Sequence, residues 1–210
     1  MNPDLLNNNY LIIRNFISDS EVKNLTLNFH KMNEEKPFPP CPQVSDSSGL
    51  IDSILGTEVL CLNCAKVSEI VKSTLLPTYS YIRIYKSGNE LEKHTDRPAC
   101  EISVTLHLDG DTSWPIWITT PYGEEVSVDL LPGDAMIYLG CIAPHWRTKY
   151  MGNNYTQLFF HYVRSKGIFK DAFFDKKDID VAAMNIPQRD FDKRGHHVVY
   201  DKLLEEYNTL

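Results

Sequence analysis

A histidine and an aspartate separated by one residue are the first feature of this sequence that could do chemistry. His94 and Asp96 flank Thr95. On an extended backbone, side chains at positions i and i+2 lie on the same face. An imidazole nitrogen and a carboxylate oxygen placed in this way can both bind one cation at about 2 Å. The pair therefore predicts two ligands of a metal site, and the remaining protein ligand must come from elsewhere in the chain.

His145 is the candidate for the third ligand. It lies 51 residues after His94, in the segment GCIAPHWR, beyond the turn Pro132-Gly133-Asp134. Two histidines and one carboxylate are typical of non-haem Fe(II) oxygenases, because this set leaves metal positions open for other ligands. An isolated His-x-Asp triplet occurs by chance in many proteins, and a lone histidine is more often a hydrogen-bonded core residue. The combination within one block of strands favours the metal site.

The elements that must position these residues are short strands preceded by helices. Ser18 and Glu21 fit a capping box that starts one helix, and residues 52–76 form a second helical segment that Pro77 is expected to end. Turn residues then separate a series of strand-like runs. These runs are Thr78–Tyr85, Glu101–Leu108, Trp114–Thr119, Glu125–Leu131, Ala135–Leu139 and Tyr155–Val163. Helices followed by strands predict an α+β fold.

The run from 101 to 108 alternates cleanly between polar and apolar residues. Ser103, Thr105 and His107 point one way, and Val104 and Leu106 point the other. We expect the apolar face to pack on the helices and the polar face to line a cavity. That geometry is typical of a jelly-roll or cupin-like barrel with a site in its mouth.

Composition restricts the class of protein. The chain has 210 residues, 42% hydrophobic and 23% charged, with a net charge of −7 and five cysteines. These values predict a globular protein, and the negative net charge disfavours nucleic acid as a partner. The sequence shows no long apolar run and no leader-like start, which predicts a cytoplasmic location without a membrane span. Residues 1–164 are expected to form one domain, with helices in 1–77 and barrel strands in 78–164. Residues 165–210 are expected to form a C-terminal extension that packs on this domain.

The block from Tyr79 to Val163 resembles the double-stranded β-helix of the iron(II)/2-oxoglutarate-dependent oxygenases, in their prolyl-hydroxylase-like branch. The motifs that carry the resemblance are YIRIYKSGNELEKHTD, RPACEISVTLHL, LLPGDAMIYLGCIAPHWR and YTQLFFHYV. The resemblance implies Fe(II) and 2-oxoglutarate as cofactors, with ascorbate as a candidate reductant. It also implies that His94, Asp96 and His145 hold the metal, and that Tyr85 and His107 contact the cosubstrate.

The sequence departs from this family at one position. Relatives usually carry an arginine or lysine 9 to 11 residues after the distal histidine, where it binds the far carboxylate of 2-oxoglutarate, whereas here Asn154, Tyr155 and Thr156 occupy those positions. A planar guanidinium from another strand could replace that cation. Arg147 is the first candidate because it shares an extended face with His145, and Arg83 is the second.

The function that the resemblance implies is hydroxylation of an amino-acid side chain, protein-bound or free, or of a small metabolite, with release of succinate and CO₂. Arg97, next to Asp96, is assigned to the substrate. A catalytically inactive binding or sensor domain of the same fold is the alternative, and a cupin dioxygenase without 2-oxoglutarate is a third hypothesis. The pattern Cys61-x-x-Cys64 is interpreted as buried structural thiols, and His196-His197 as exposed loop. The substrate, peptide or small molecule, and the oligomeric state stay open.

Overall fold

A computed structural model describes residues 1–175, 205–207 and 209 of the chain. The helices are α1 (Pro3–Asn8), α2 (Asp19–Glu35) and α3 (Ile54–Val71). The strands are β1 (Tyr10–Ile13), β2 (Ser48–Ile51), β3 (Leu75–Tyr85), β4 (Leu91–His94), β5 (Ile102–Gly110), β6 (Ile116–Thr119), β7 (Glu125–Val128), β8 (Ala135–Tyr138), β9 (His145–Arg147) and β10 (Tyr155–Arg164). None of these helices is long and apolar enough to cross a membrane.

The described strands form two antiparallel sheets. The larger sheet has six strands in the order β1-β8-β5-β10-β3-β2, and the smaller has four in the order β4-β9-β6-β7. Long non-local ladders such as β10 with β3 and with β5 hold the large sheet together. Helices with two antiparallel sheets make an α+β fold, which confirms the predicted class.

Strand β5 lies inside the large sheet and has both faces buried. Val104 and Leu106 are fully buried and belong to the main apolar core, which also includes Leu25 of α2 and Leu60 of α3. Ser103 and Thr105 are equally buried but make side-chain hydrogen bonds on the opposite face. The alternation predicted from sequence is therefore confirmed, and its register is fixed because a slip of one residue would exchange the two faces.

The helix boundaries differ in part from the sequence prediction. Helix α2 begins as predicted, with both halves of the Ser18–Glu21 capping box present. Helix α3 ends at Val71, where Lys72 adopts a left-handed conformation, and not at Pro77. Pro77 instead lies within β3, beside an irregularity in the pairing with β10. A proline is tolerated there because the irregularity leaves its position without a required ladder donor.

The two cysteines of helix α3 also differ from expectation. Cys61 is exposed and Cys64 is only partly buried, and both thiols are free. The prediction of two buried structural thiols is therefore wrong. Helix α3 is apolar around most of its circumference, with Ile54 and Leu62 exposed, so the sequence gives little information on which face is buried.

The segment before residue 78 contributes strands as well as helices. Strands β1 and β2 both belong to the large sheet. After β10, the chain packs Phe169 and Ala172 into the main core. The predicted division at 164/165 stays a prediction, and His196-His197 lies outside the described residues.

Candidate metal site and adjoining pocket

Three side chains from the small sheet and the turn after it converge at one point. His94 ends β4, Asp96 follows two residues later, and His145 begins β9 directly opposite His94 in the ladder. Asp96 Oδ1 lies 3.7 Å from Nε2 of His94 and 3.7 Å from Nε2 of His145. The three potential ligand atoms all lie within 4.8 Å of one another. This spacing suits a single ion bound at about 2 Å from each atom.

Hydrogen bonds to the backbone orient both imidazole rings. Nδ1 of His94 donates to the carbonyl of Glu92 at 2.7 Å, and Nδ1 of His145 donates to the carbonyl of Ala143 at 2.9 Å. Each Nε2 therefore carries the lone pair. Fixing the tautomer through the other ring nitrogen is the usual arrangement for a metal-binding histidine. The donor set thus fits a divalent transition metal.

Asp96 is anchored to the large sheet. Its backbone N–H donates to the carbonyl of Gly140 at 2.8 Å, and the hydroxyl of Ser103 on β5 donates to its Oδ2 at 2.9 Å. Gly140 also leaves room for the carboxylate, because a β-carbon there would lie 2.5 Å from Asp96 Oδ2. These contacts leave Oδ1 directed toward the two histidines.

The electrostatics of this cluster favour an ionised Asp96 carboxylate beside a neutral His145. Burial acts to raise the pKa of Asp96, but His145, His161 and His94, with the Ser103 hydrogen bond, hold that pKa below its usual value. Burial lowers the pKa of His145, although Asp96 opposes the shift. An ionised carboxylate and neutral imidazoles are the protonation states that bind a metal.

A second group of potential ligands shares Asp96. Asp96, Cys100 and His161 also have ligand atoms within 4.8 Å of one another. Their other contacts are already made, however. The Cys100 thiol lies 3.1 Å from the hydroxyl of Tyr79, and Nδ1 of His161 lies 3.0 Å from Ser103 Oγ. His161 therefore supports Asp96 through Ser103.

An open pocket leads from the three converging side chains into the space between the sheets. The pocket is lined by Gln43, Tyr79, Tyr81, Arg83, Leu91, His94, Asp96, Ile116, Tyr138, His145, Arg147, Phe159 and His161.

Arg147 lies deep in this pocket. Its side chain is buried, Nη1 donates to the carbonyl of Trp114, and its guanidinium lies over the rings of Trp114 and Tyr155, at 4.8 and 5.0 Å from their centres. Its Nη2 is buried and has no hydrogen-bond partner among the described residues. Tyr155 is one of the positions where the resembling family carries its cation, so the guanidinium of Arg147 reaches that neighbourhood from another strand.

Arg83 is the second arginine of the pocket. It is 5% exposed and lies opposite Gln157 in the β3–β10 ladder. Its Nη1 donates to the hydroxyl of Tyr85 at 3.1 Å, and its Nη2 donates to Oε1 of Gln43 at 2.8 Å. The structure therefore brings both candidate arginines to one pocket with the three converging side chains.

The remaining predicted residues occupy different surroundings. Tyr85 is fully buried and accepts a hydrogen bond from Arg83, but it is not one of the residues that line the pocket. His107 is buried and stacks on Tyr155 at 4.2 Å between ring centres, and its Nδ1 has no hydrogen-bond partner among the residues described. Arg97 lies at the surface near Asp96, and both of its Nη atoms donate to the carboxylate of Asp175, at 2.5 and 2.7 Å.

Gln43 is the site residue that the sequence did not predict. It comes from the proline- and serine-rich loop before β2, and its Nε2 lies 2.9 Å from Nε2 of His94. No local pattern marks such a residue, since its position depends on a long-range loop path. Tyr79 and Tyr81 could have been found, because they alternate with Arg83 and Tyr85 along β3 and share their face.

No protein-family model matches the sequence, and no curated protein matches it either. Solved structures do match the fold. A prolyl-4-hydroxylase from Pseudomonas putida aligns at a TM-score of 0.63 and 14% identity, over 77% of this chain and 95% of that one. A prolyl hydroxylase from Trichoplax adhaerens, in complex with a hypoxia inducible factor peptide fragment, aligns at 0.62 and 13%, over 76% and 86%.

A third structure is HygX from Streptomyces hygroscopicus, which was solved with nickel and 2-oxoglutarate bound. It aligns at a TM-score of 0.63 and 11% identity, over 79% of this chain and 88% of that one. The chain therefore shares an α+β fold with 2-oxoglutarate- and iron-dependent oxygenases, including prolyl hydroxylases. This is the fold relationship that the sequence motifs predicted.

Proposed function

We propose that this protein is an Fe(II)- and 2-oxoglutarate-dependent oxygenase that hydroxylates an amino-acid side chain, protein-bound or free, or a small metabolite. The observation that carries the proposal is the convergence of His94, Asp96 and His145 at the mouth of a pocket that holds buried arginines. In this proposal the two sheets form the double-stranded β-helix. The substrate is a peptide or a small molecule.

The three converging residues would hold the iron, and Arg147 would hold the far carboxylate of 2-oxoglutarate. When bound, the iron and the cosubstrate supply the oxidising chemistry, with release of succinate and CO₂. Arg147 suits its role because its unpartnered Nη2 lacks the acceptor that a buried guanidinium needs. A carboxylate would supply that acceptor together with the missing negative charge.

Other side chains of the pocket would position the ligands and exclude water. Leu91, Ile116 and Phe159 give the pocket apolar walls. The ring of Tyr138 packs edge-on against His145, at 4.7 Å between ring centres, and restricts its rotation. His161 and Ser103 hold Asp96 from behind. A rigid set of ligands with a dry wall on one side keeps reactive species away from bulk water.

Anaerobic addition of Fe(II) and 2-oxoglutarate tests this function. We expect a weak visible charge-transfer band in the wild type and no such band in Asp96→Asn, because the neutral amide is a poorer ligand for the ion. Lys93→Met removes an exposed cation that pairs with Glu125 and is the control for the band. Absence of the band in the wild type would contradict the proposal.

Addition of oxygen to the loaded protein then distinguishes an active oxygenase from a binding or sensor domain. We expect succinate release to rise when the correct substrate is present, and a screen of free amino acids and peptides, followed by mass spectrometry for a gain of one oxygen, identifies it. A charge-transfer band without succinate release under any of these conditions would favour the binding or sensor domain.

A further inference from the structure

We propose that Arg83 anchors a carboxylate of the substrate, so that the pocket takes a small anionic molecule beside 2-oxoglutarate. This inference rests on the proposed function and adds the class of substrate to it. The residues that carry it are Arg83 on β3, Arg147 on β9 and Gln43 in the loop before β2.

Arg83 is a buried cation without a buried anion. Its nearest ionisable neighbours are Tyr85, Tyr81 and Cys41, and no described carboxylate forms an ion pair with it. Its Nε is buried and has no hydrogen-bond partner in the part of the chain that the structure describes. A buried charge that lacks both a counter-ion and a full set of acceptors is unfavourable. A bound anion is the simplest way for such a group to be compensated.

The surroundings of Arg83 direct its charge into the pocket. Its guanidinium carbon lies over the rings of Tyr81 and Phe159, at 4.7 and 5.6 Å from their centres. The hydroxyl of Tyr85 accepts from its Nη1. These contacts cover the sides of the guanidinium with aromatic surface. The Nη2 end faces the pocket, where its described acceptor is the neutral amide of Gln43.

The amide of Gln43 marks where a ligand would lie. Its Oε1 accepts from Arg83 at 2.8 Å, while its Nε2 donates to His94 Nε2 at 2.9 Å. The carboxamide thus spans the gap between the guanidinium and a predicted metal ligand. Gln43 is an exposed loop residue, so its side chain can leave without disturbing the core. A substrate carboxylate would replace its oxygen on Arg83 and gain a charge-assisted bond.

The net charge of the loaded pocket also favours an anionic substrate. A divalent ion on Asp96 leaves one positive charge, and 2-oxoglutarate brings two negative charges. The guanidinium groups of Arg83 and Arg147 bring two positive charges, so the loaded pocket keeps one positive charge. A substrate with a single carboxylate neutralises it. If both arginines served 2-oxoglutarate, that excess charge would stay buried, which is unfavourable.

Propionate and propionamide, two probes of nearly the same size, test the charge requirement. The protein is loaded with nickel(II) and saturating 2-oxoglutarate, and each probe is titrated by calorimetry. We expect wild type to bind propionate at least about 10-fold more tightly than propionamide, and Arg83→Met to lose this preference. Lys93→Met removes an exposed cation that pairs with Glu125 and is the matched control, which we expect to behave as wild type.

A second variant keeps the test valid if Arg83→Met folds poorly. Gln43→Ala changes the exposed loop residue and removes the neutral competitor for Nη2, so we expect propionate to bind several-fold more tightly. Equal propionate affinity in wild type and a folded Arg83→Met protein overturns the proposal. Weaker propionate binding in Gln43→Ala also overturns it.

The two proposals fail in distinguishable ways. If nickel-loaded wild type does not bind 2-oxoglutarate, the proposed function is wrong, and the propionate titration without 2-oxoglutarate still tests Arg83. If Arg83→Met weakens 2-oxoglutarate binding more than Arg147→Met does, Arg83 is the cosubstrate anchor and the substrate assignment is overturned.

Discussion

Arg147 lies two residues after His145 on β9, and both side chains are buried on the wall of one pocket. The ladder places His145 opposite His94 and Arg147 opposite Leu91 on β4. One strand of three residues therefore supplies a predicted metal ligand and, deeper in the pocket, a cation. This spacing is the geometric basis for proposing that a single ligand spans the two.

Replacement of Arg147 with methionine is expected to weaken 2-oxoglutarate binding by about 100-fold, because a buried charge pair contributes about 2–5 kcal/mol. Nickel binding should change little, since the three ligands remain. Calorimetric titrations of metal first and 2-oxoglutarate second separate the two effects. Unchanged 2-oxoglutarate affinity in a folded Arg147→Met protein would remove Arg147 from the cosubstrate site.

Gly140 is expected to set the position of the Asp96 carboxylate. A β-carbon at Gly140 would lie 2.3 Å from the carbonyl oxygen of Cys100 and 2.6 Å from Ser103 Oγ, in addition to its close approach to Asp96. Gly140→Ala must therefore displace the carboxylate or its support. We expect metal affinity to fall by about 10- to 100-fold, the range seen when groups that orient metal ligands are changed.

Ser103→Ala is the comparison variant for Gly140→Ala, because it removes a hydrogen bond to the carboxylate without adding an atom that clashes with it. The difference in metal affinity between the two variants measures the effect of the clash. Nickel titration of both variants, with circular dichroism to verify folding, checks the prediction. Metal affinity in Gly140→Ala equal to that of wild type would show that the carboxylate has freedom to move.

His107 is expected to make stability depend on pH. Burial, followed by the nearby charge of Arg147, lowers the pKa of His107 from 6.5 to about 4. Between these values the unfolded chain binds a proton that the folded chain does not, so the free energy of unfolding falls as pH decreases from 6.5 to 4. The loss from this group is about 3 kcal/mol at most.

Urea unfolding of wild type and His107→Gln at pH 7 and pH 4.5 measures this contribution. We expect the decrease between the two pH values to be smaller in the variant, because glutamine does not titrate. The control is His30→Gln, which changes a histidine of α2 that forms a hydrogen bond with Thr156 on β10. An equal decrease in wild type and His107→Gln would contradict the assignment.

Glu101 and Arg164 form a buried ion pair that ties the start of β5 to the end of β10. Arg164 Nε donates to Glu101 Oε1 at 2.5 Å, and both side chains are at most 5% exposed. Arg164→Met leaves a buried carboxylate without its cation, so we expect a loss of about 3–5 kcal/mol in the free energy of unfolding. Adding Glu101→Leu to this variant should recover part of the loss.

Lys31→Met is the control for the ion pair, because Lys31 and Glu35 are 3.8 Å apart and exposed. Such a pair contributes at most about 1 kcal/mol. Chemical unfolding of the four proteins checks the prediction. A loss in Arg164→Met no larger than that in Lys31→Met would mean that water reaches the pair.

Local sequence patterns predicted the parts of the fold that local physics determines. The Ser18 capping box and the alternation of Ser103, Val104 and Thr105 both follow from backbone geometry over a few residues, and both are present. The close approach of His94, Asp96 and His145 has two origins. The i, i+2 spacing accounts for the first two, while the third was predicted from its place in the block of strands and from the resemblance to a known fold.

Other features depend on contacts between distant parts of the chain and were missed. Pro77 is accommodated in β3 because the partner strand is irregular beside it, which its own neighbours in sequence do not reveal. Gln43 reaches His94 across 51 residues of sequence. Strand β2 forms because residues 48–51 pair with the edge of β3. Their sequence SGLI is too short and too rich in turn residues to predict a strand by itself.

Strand β4 lies at the end of the small sheet, and this position affects how fast a bound metal ion can leave the site. Within the described sheets, β4 pairs with β9 and has no partner on its other side, and its ladder is interrupted between Leu91 and His94. Fraying of this strand would free His94 while His145 and Asp96 stay in place. The escape rate of a bound ion would then follow local opening of β4, at a lower barrier than unfolding of the whole domain.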